Sequence, residues 1–301
     1  MFGPNDRRVC ECHSANYRGL TSHRGRPFEK LMEEIVERVH SRLHVPWSFT
    51  VLILPVGGTL AVQAMVRSHR EPIRVMPSRG TFGNRLRASV VLEKKLAGRD
   101  DFEIPFADVQ YETSVSSVMT SGATLLDMVS GFPYYAIPDR TLCAVTTAGK
   151  QLGALPGLSL AFVSDWGPFV TEPYTGRLVW DGLDLFTHRR FFPQLPTTPP
   201  ISLLVDLNER LARFDPLAHI IEIRRRREKL RDALPPSSVI GTGPVVTIDP
   251  AAVRISQRAI LDEFDLWRTE LGYRQVFLWS GTDAQHERLR KALKRAKGGK
   301  R

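Results

Sequence analysis

The chain has 301 residues, 42% of them hydrophobic and 25% charged, with a formal net charge of +10 at pH 7. That length suits one large domain plus a small one, with a buried core. No stretch approaches the roughly 20 uncharged apolar residues that span a bilayer, and MFGPNDRRVCECHS at the amino terminus lacks an apolar signal core, so secretion and membrane insertion are excluded from the reading and the expected address is the cytoplasm.

Three cysteines, Cys10, Cys12 and Cys143, are too few and too badly spaced for a disulfide framework. Cys10, Cys12 and His13 invite a zinc reading, but no second ligand pair follows at structural-site spacing, so no metal is expected. The positive charge favours an anionic partner, nucleic acid or a phosphorylated small molecule. It is concentrated in IRRRREKLR (223–231) and ERLRKALKRAKGGKR (287–301), for which a solvated helix face and a frayed terminus are the plainer readings.

In chain order, RPFEKLMEEIVERVHSRL (26–43) spaces Phe28, Leu31, Ile35, Val36 and Val39 at helical intervals. WSFTVLILPVGG (47–58) reads as a buried strand ending in a glycine turn, and TLAVQAMVRS opens the next helix. PIRVMP (72–77), DVQYETS (108–114), RTLCAVTT (140–147) and LSLAFVSD (158–165) are further strands, while GATLLDMVSG (122–131) fits either element. After the proline-rich FFPQLPTTPP (191–200), ISLLVDLNERLARF and IIEIRRRREKLRDAL predict a helical stretch bent near Pro216. Beyond PPSS (235–238) the pattern predicts a strand at VVTID, a helix around Ile260 to Leu271, a strand at YRQVFLW and a basic terminal helix. Strands alternating with helices argue for an α/β architecture with a mostly parallel sheet. The expected division is an N-terminal arm (1–19), a large domain with its connecting helix (20–234) and a small α+β domain (235–301).

Three places carry chemistry. Gly57, Gly58 and Thr59 stand where a helix begins, and backbone amides there, approached over glycine, form a phosphate cradle. Asp127 lies in an apolar stretch, where a carboxylate is costly unless it caps the backbone or meets a cation. Lys150, in TTAGKQLGALPGLSL (146–160), sits among small residues that can hold it desolvated, with a depressed pKa suited to Schiff-base chemistry. A protonated pyridine nitrogen is the kind of cation that Asp127 suits.

Taken together, these segments resemble the class V aminotransferases, pyridoxal-phosphate enzymes of fold type I such as alanine–glyoxylate and 2-aminoethylphosphonate aminotransferases. GGTLAVQA is similar to their phosphate loop, GTFGNR (80–85) to the segment with the ring-stacking aromatic, and YETSVSSV (111–118) to a strand end facing the cofactor. LLDMVSGF (125–132) is similar to the Asp-bearing strand, and TTAGKQLGALPGLSL to the lysine segment with its following Pro-Gly. The resemblance covers roughly residues 20 to 235.

It implies that Lys150 carries pyridoxal 5'-phosphate as a Schiff base and moves the proton at the substrate Cα, with Asp127 pairing with the ring nitrogen. Phe82 would stack on the ring, Thr113 would approach its ring oxygen, and Gly57, Gly58, Thr59 and Thr147 would hold the phosphate. PTTPPIS (196–202) resembles the segment that reaches a neighbouring subunit's phosphate, so Thr197 or Thr198 implies a homodimer with shared active sites. His23 and Arg24 match the segment near the active-site entrance. The family's substrate-carboxylate arginine has no counterpart in register: Val276 takes its place, with Arg274 as the substitute through a shifted register. The interval from Arg85 to Glu112 is short for the family and predicts a trimmed sheet.

Compactness, basic charge and the absent arginine lead to one expectation: an enzyme of a bacteriophage pathway that hypermodifies thymidine, working in host cytoplasm. It would decarboxylate an amino-acid group, glycine-derived, attached to thymidine in DNA. The alternatives are a small-molecule class V aminotransferase and a non-catalytic, basic nucleic-acid-binding protein on a degenerate scaffold.

Overall fold

A computed structural model describes residues 25–69, 73–75, 81–96, 107–111, 124–165, 200–264, 266–269 and 272–298. Helix α1 (Arg26–Leu43) forms because Phe28, Leu31, Met32, Ile35, Val39 and Leu43 recur on one face and are buried there. A proline in its first turn starts it, and His44, at φ 55°, ends it in the left-handed region. His40 secures the exit, its Nδ1 lying 2.9 Å from the Val45 carbonyl while its ring stacks on Trp47 at 4.0 Å.

Then come β1 (Phe49–Leu54), α2 (Gly58–Ser68), β2 (Ile73–Val75), α3 (Thr81–Leu96), β3 (Ala107–Tyr111), β4 (Thr124–Asp127), β5 (Thr141–Thr147) and β6 (Ser159–Ser164). These strands form a six-stranded sheet in the order β1-β6-β5-β4-β3-β2. Pairing is parallel from β2 to β5 and antiparallel where β6 joins β5 and β1, so the sheet is mixed, with the parallel strands in the majority.

Both sheet faces are covered, and the alternation along each strand shows it. In β1, Val51 and Ile53 join the core under α1, while Leu52 and Leu54 join the core under α2 and α3. In β6, Leu160 and Phe162 divide from Ala161 and Val163 in the same way. The result is a helix–sheet–helix sandwich. Helix α4 (Ile201–Arg213) completes the first layer, packing Leu204, Leu207 and Leu211 beside α1.

The helical stretch expected to bend near Pro216 is two helices. Phe214 and Asp215 separate α4 from α5 (Pro216–Arg231); Asp215 Oδ1 caps the Ala218 amide at 2.9 Å, with Pro216 as first helical residue. Helix α5 leads to a second sheet, ordered β7-β8-β10-β9, built from β7 (Val239–Ile240), β8 (Val245–Ile248), β9 (Trp267–Arg268) and β10 (Arg274–Phe277). Helices α6 (Ile255–Glu263) and α7 (Asp283–Gly298) pack on it around Trp279, Leu289 and Leu293.

The helix expected around Ile260 to Leu271 is corrected here: it ends at Glu263, and Trp267 and Arg268 pair antiparallel with Gln275 and Arg274. Gly272, at φ 82°, turns the chain back, and pairing with β10 overrides the residual helical spacing. The sequence also gave no sign of α3, whose Leu86 and Val90 pack against the sheet. Among the described residues no helix is long and apolar enough to cross a membrane.

Candidate active site

Strand register brings the chemistry together. Asp127 ends β4 opposite Val145 of β5. Two residues further, Thr147 pairs with Ser159 of β6, which in turn pairs with Leu54 of β1. Two antiparallel steps restore the direction of β5, so the turn leaving β1 at Gly57 and Gly58 opens at the same sheet edge as Asp127 and Thr147. Ligand sites of open α/β sheets lie beyond this edge.

The glycine turn is held in place and kept narrow. Ser159 Oγ donates to the Val56 carbonyl at 2.9 Å. A Cβ at Gly58 would lie 2.9 Å from both Thr147 Cγ2 and Val129 Cγ2, so only glycine lets α2 start this close to β5. Gly57 is the N-cap residue without a side-chain cap, and a Cβ there would meet nothing within 4 Å. The first amides of α2 therefore face open space uncapped, beside the exposed Thr59. Nearby, the buried hydroxyls of Thr146 and Thr147 have no hydrogen-bond partner among the described residues. Buried polar atoms are normally satisfied, and successive strand residues point to opposite faces, so it is the Thr147 hydroxyl, on the α2 side with Gly58, that marks a place for a polar guest there.

Lys150 sits in the turn that follows β5. That turn is braced: the Ala148 amide donates to the Leu158 carbonyl and the Ala154 amide to the Ala148 carbonyl, each at 3.0 Å. A Cβ at Gly149 would come within 2.7 Å of Pro156 Cα, which explains the small residue before the lysine and the proline after it. Lys150 Nζ donates to Ser130 Oγ at 2.9 Å. Gln151 Nε2 donates to the Ser130 carbonyl at 2.6 Å, and Gln151 Oε1 lies 3.1 Å from His219 Nε2 on α5. Phe82, in the first turn of α3 and 37% exposed, has its ring centroid 5.7 Å from Lys150 Nζ and 5.6 Å from Arg85 Cζ.

The two charges are far from their ordinary balance. Burial pushes the Asp127 carboxyl up to about 6, against the pull of the Val129 amide (3.0 Å to Oδ1) and of the Lys150 charge. Burial brings Lys150 down to about 8, with Asp127 drawing it partly back up. Near neutral pH a sizeable minority of Lys150 is the free amine, the nucleophilic form.

The structure thus brings together Gly57, Gly58, Thr59, Phe82, Asp127, Thr147 and Lys150 from four separate segments. Ser130 and Ser159 were missed by the sequence reading; the one available signal was that Ser130 stands three residues after Asp127. Arg274 is placed elsewhere, in β10. It is buried, with Nη2 2.5 Å from Asp262 Oδ1 and Nη1 donating to the Gly272 carbonyl at 3.0 Å, and its charge holds the Asp262 carboxyl below the usual range. Val276 is enclosed in the core of the second sheet. His23, Arg24, Thr113, Thr197 and Thr198, like Cys10, Cys12 and His13, lie outside the described residues.

Solved structures share this fold. Aspartate aminotransferase of subgroup IV from Thermus thermophilus superposes with a TM-score of 0.73 at 14% identity, covering 98% of this chain and 97% of its own. Pyridoxal-phosphate-bound phosphoserine aminotransferase from Trichomonas vaginalis gives 0.69 at 15% identity, over 91% and 90%. Alanine–glyoxylate aminotransferase from Nostoc gives 0.70 at 16% identity, over 98% and 93%. The fold is that of these aminotransferases. No protein-family model matches the sequence, and no curated protein matches it. The likeness therefore extends over the whole architecture, both sheets included, while few side chains are shared.

Proposed function

We propose that this protein is a pyridoxal-phosphate-dependent enzyme acting on an amino-acid-like substrate. The observation that carries the reading is the Asp127–Lys150 pair at the carboxyl ends of the parallel strands, Asp127 buried and Lys150 half-buried, with both pKa values moved toward neutrality. Its neighbours fit the cofactor. The uncapped first turn of α2 and the orphaned Thr147 hydroxyl suit a phosphate, and the space that a Cβ at Gly57 would enter leaves room for it.

Pyridoxal phosphate, when bound, supplies an aldehyde and an electron-withdrawing ring that weakens a bond at the substrate Cα. The chain supplies the rest. Lys150, its amine oriented by Ser130 Oγ, would hold the group through the aldehyde carbon and would hold or move a proton at Cα. The Asp127 carboxylate would keep the ring nitrogen protonated. The Phe82 ring offers an apolar face beside Lys150. Thr113, Thr197, Thr198, His23 and Arg24 keep the roles implied by the resemblance, the Thr197–Thr198 segment with a second copy of the chain.

Within that chemistry we favour decarboxylation of an amino-acid group, glycine-derived and carried on thymidine in DNA. Arg274 is committed to Asp262, and Val276 is packed in a core, which leaves this strand without an α-carboxylate clamp. A carboxylate that is not clamped can leave as CO₂. The +10 charge suits a polyanionic carrier.

The purified protein should show the absorbance of lysine-bound pyridoxal phosphate, and Lys150→Ala should abolish it; an unchanged band would overturn the site. Mass spectrometry after incubation with amino-acid-modified DNA should find loss of CO₂ and an aminoalkyl base. Transfer of the amino group of alanine to a keto acid, with the modified DNA left intact, would establish the small-molecule aminotransferase instead.

A further inference from the structure

Helices α5 and α7 each carry six Lys or Arg against two Asp or Glu, so together they hold +8 of the chain's +10. They pack against each other, and a cleft of about 320 Å³ runs between them, lined by Arg225, Arg226 and Lys229 on one side and by Asp283, His286, Glu287 and Arg290 on the other, with Arg290 paired to Glu287, so that four cations face two carboxylates. Lys229, Lys294 and Arg295 are exposed along this surface.

We infer that the α5–α7 face is a docking surface for the phosphate backbone of duplex DNA. Its composition selects the partner. Leu217 and Ile221 are exposed in the first two turns of α5, but 222–231 and 283–298 hold no exposed large apolar residue, so the cationic part of the face offers neither the apolar stripe of a membrane-surface helix nor the aromatic anchor of a protein interface. Among the described residues no Phe, Tyr or Trp lines the cleft, and the His286 ring is partly buried against Ser280, so single-stranded bases have little to stack on. What remains is a rigid array of cations, five of the six on α5 being arginine, whose planar fork matches phosphate oxygens.

The array is also held in place. Glu222 and Asp283 orient Arg225 and Arg226, with contacts of 2.6–2.8 Å, without cancelling the surplus charge. His286, its Nε2 2.8 Å from the Ser280 carbonyl, is pushed down to about 4 by burial and by Arg226, so the neutral imidazole adds no charge at pH 7.

Position links the face to the active site. Helix α5 begins beside the reactive turn, where His219 meets Gln151, the residue after Lys150. Ten residues on, Lys229 lies about 15 Å further along the same rigid rod. A duplex seated on the cationic face is thereby within a short reach of Lys150. The inference deepens the reading of a DNA-borne substrate and takes its purpose from it, but docking is measurable on unmodified DNA.

The test is fluorescence anisotropy of the full chain with a 20-base-pair unmodified duplex. Binding should weaken linearly in a double-logarithmic plot against salt. The triple variant Lys229→Ala/Lys294→Ala/Arg295→Ala should lose about tenfold or more in affinity at 0.1 M salt, with a slope shallower by about 2 to 3, since each lost phosphate contact removes about 0.9. A control removing equal charge elsewhere, Lys30→Ala/Arg42→Ala/Arg213→Ala, should change affinity by less than about threefold. Equal losses in both triples, no binding at low salt, or binding to anionic lipid vesicles but not to duplex would each overturn the surface. Lys150→Ala should bind duplex like the unaltered chain. A cofactor absorbance missing from the unaltered chain, or left unchanged by Lys150→Ala, would therefore sink the catalytic reading alone, and unchanged binding in the first triple would sink the docking surface alone.

Discussion

Two cationic regions of this molecule behave in opposite ways. At the edge of the first sheet a single lysine is half-buried, and desolvation brings Lys150 down to about 8 although a carboxylate lies nearby. On α5 the exposed Arg225 is held firmly charged by Glu222 and Asp283. Charge in water beside carboxylates is stabilised and inert; charge withdrawn from water becomes a reagent. The difference lies in the surroundings, not in the residue type.

The largest test of that contrast is at the Asp127–Lys150 pair. Asp127→Asn should cut turnover by about 10²-fold or more, because the charge that the ring nitrogen needs is gone. It should also move Lys150 below about 8, as its one raising influence disappears, which a pH titration of amine reactivity would read. Stability carries a second signature. The folded pKa of Asp127 is raised, so its contribution is fully present below 3.8 and is lost as pH rises through about 6. The stability of the unaltered chain relative to Asp127→Asn, both without cofactor, should therefore fall by about 2 kcal/mol between those values, measured by urea unfolding.

An intermediate effect is expected at Gly58. A methyl there meets Thr147 and Val129 at 2.9 Å, so Gly58→Ala should cost about 1–3 kcal/mol and loosen phosphate binding, seen as a raised dissociation constant for pyridoxal phosphate. The smallest belongs to the exposed region: Arg225→Ala should change the urea midpoint by less than about 1 kcal/mol equivalent, since exposed ion pairs contribute little. A large loss there would erase the contrast.

Much of this was legible in the sequence because it rests on local rules. Helical spacing in 26–43 and apolar runs within 49–54, 141–147 and 159–164 set those elements, and the glycine turn and the lysine segment, picked out by composition alone, lie at one sheet edge as the candidate site. The helix expected around Ile260 to Leu271 failed because β10 captured Trp267 and Arg268, a partner distant enough that local spacing gives no sign of it. Ser130 and Ser159 were invisible for a related reason, since a lone serine has no pattern until a neighbour defines its hydrogen bond.

By itself, then, the sequence determined which segments are apolar enough to pack and which residues have the chemistry to react. Only tertiary structure decided that Asp127 and Lys150 lose their water at the same sheet edge, that Thr147 and Gly58 touch there, and that Arg274 turns to Asp262. The physical reason is range. Hydrophobic periodicity is written within a few residues, whereas desolvation and strand register depend on chain segments brought together from far along the sequence.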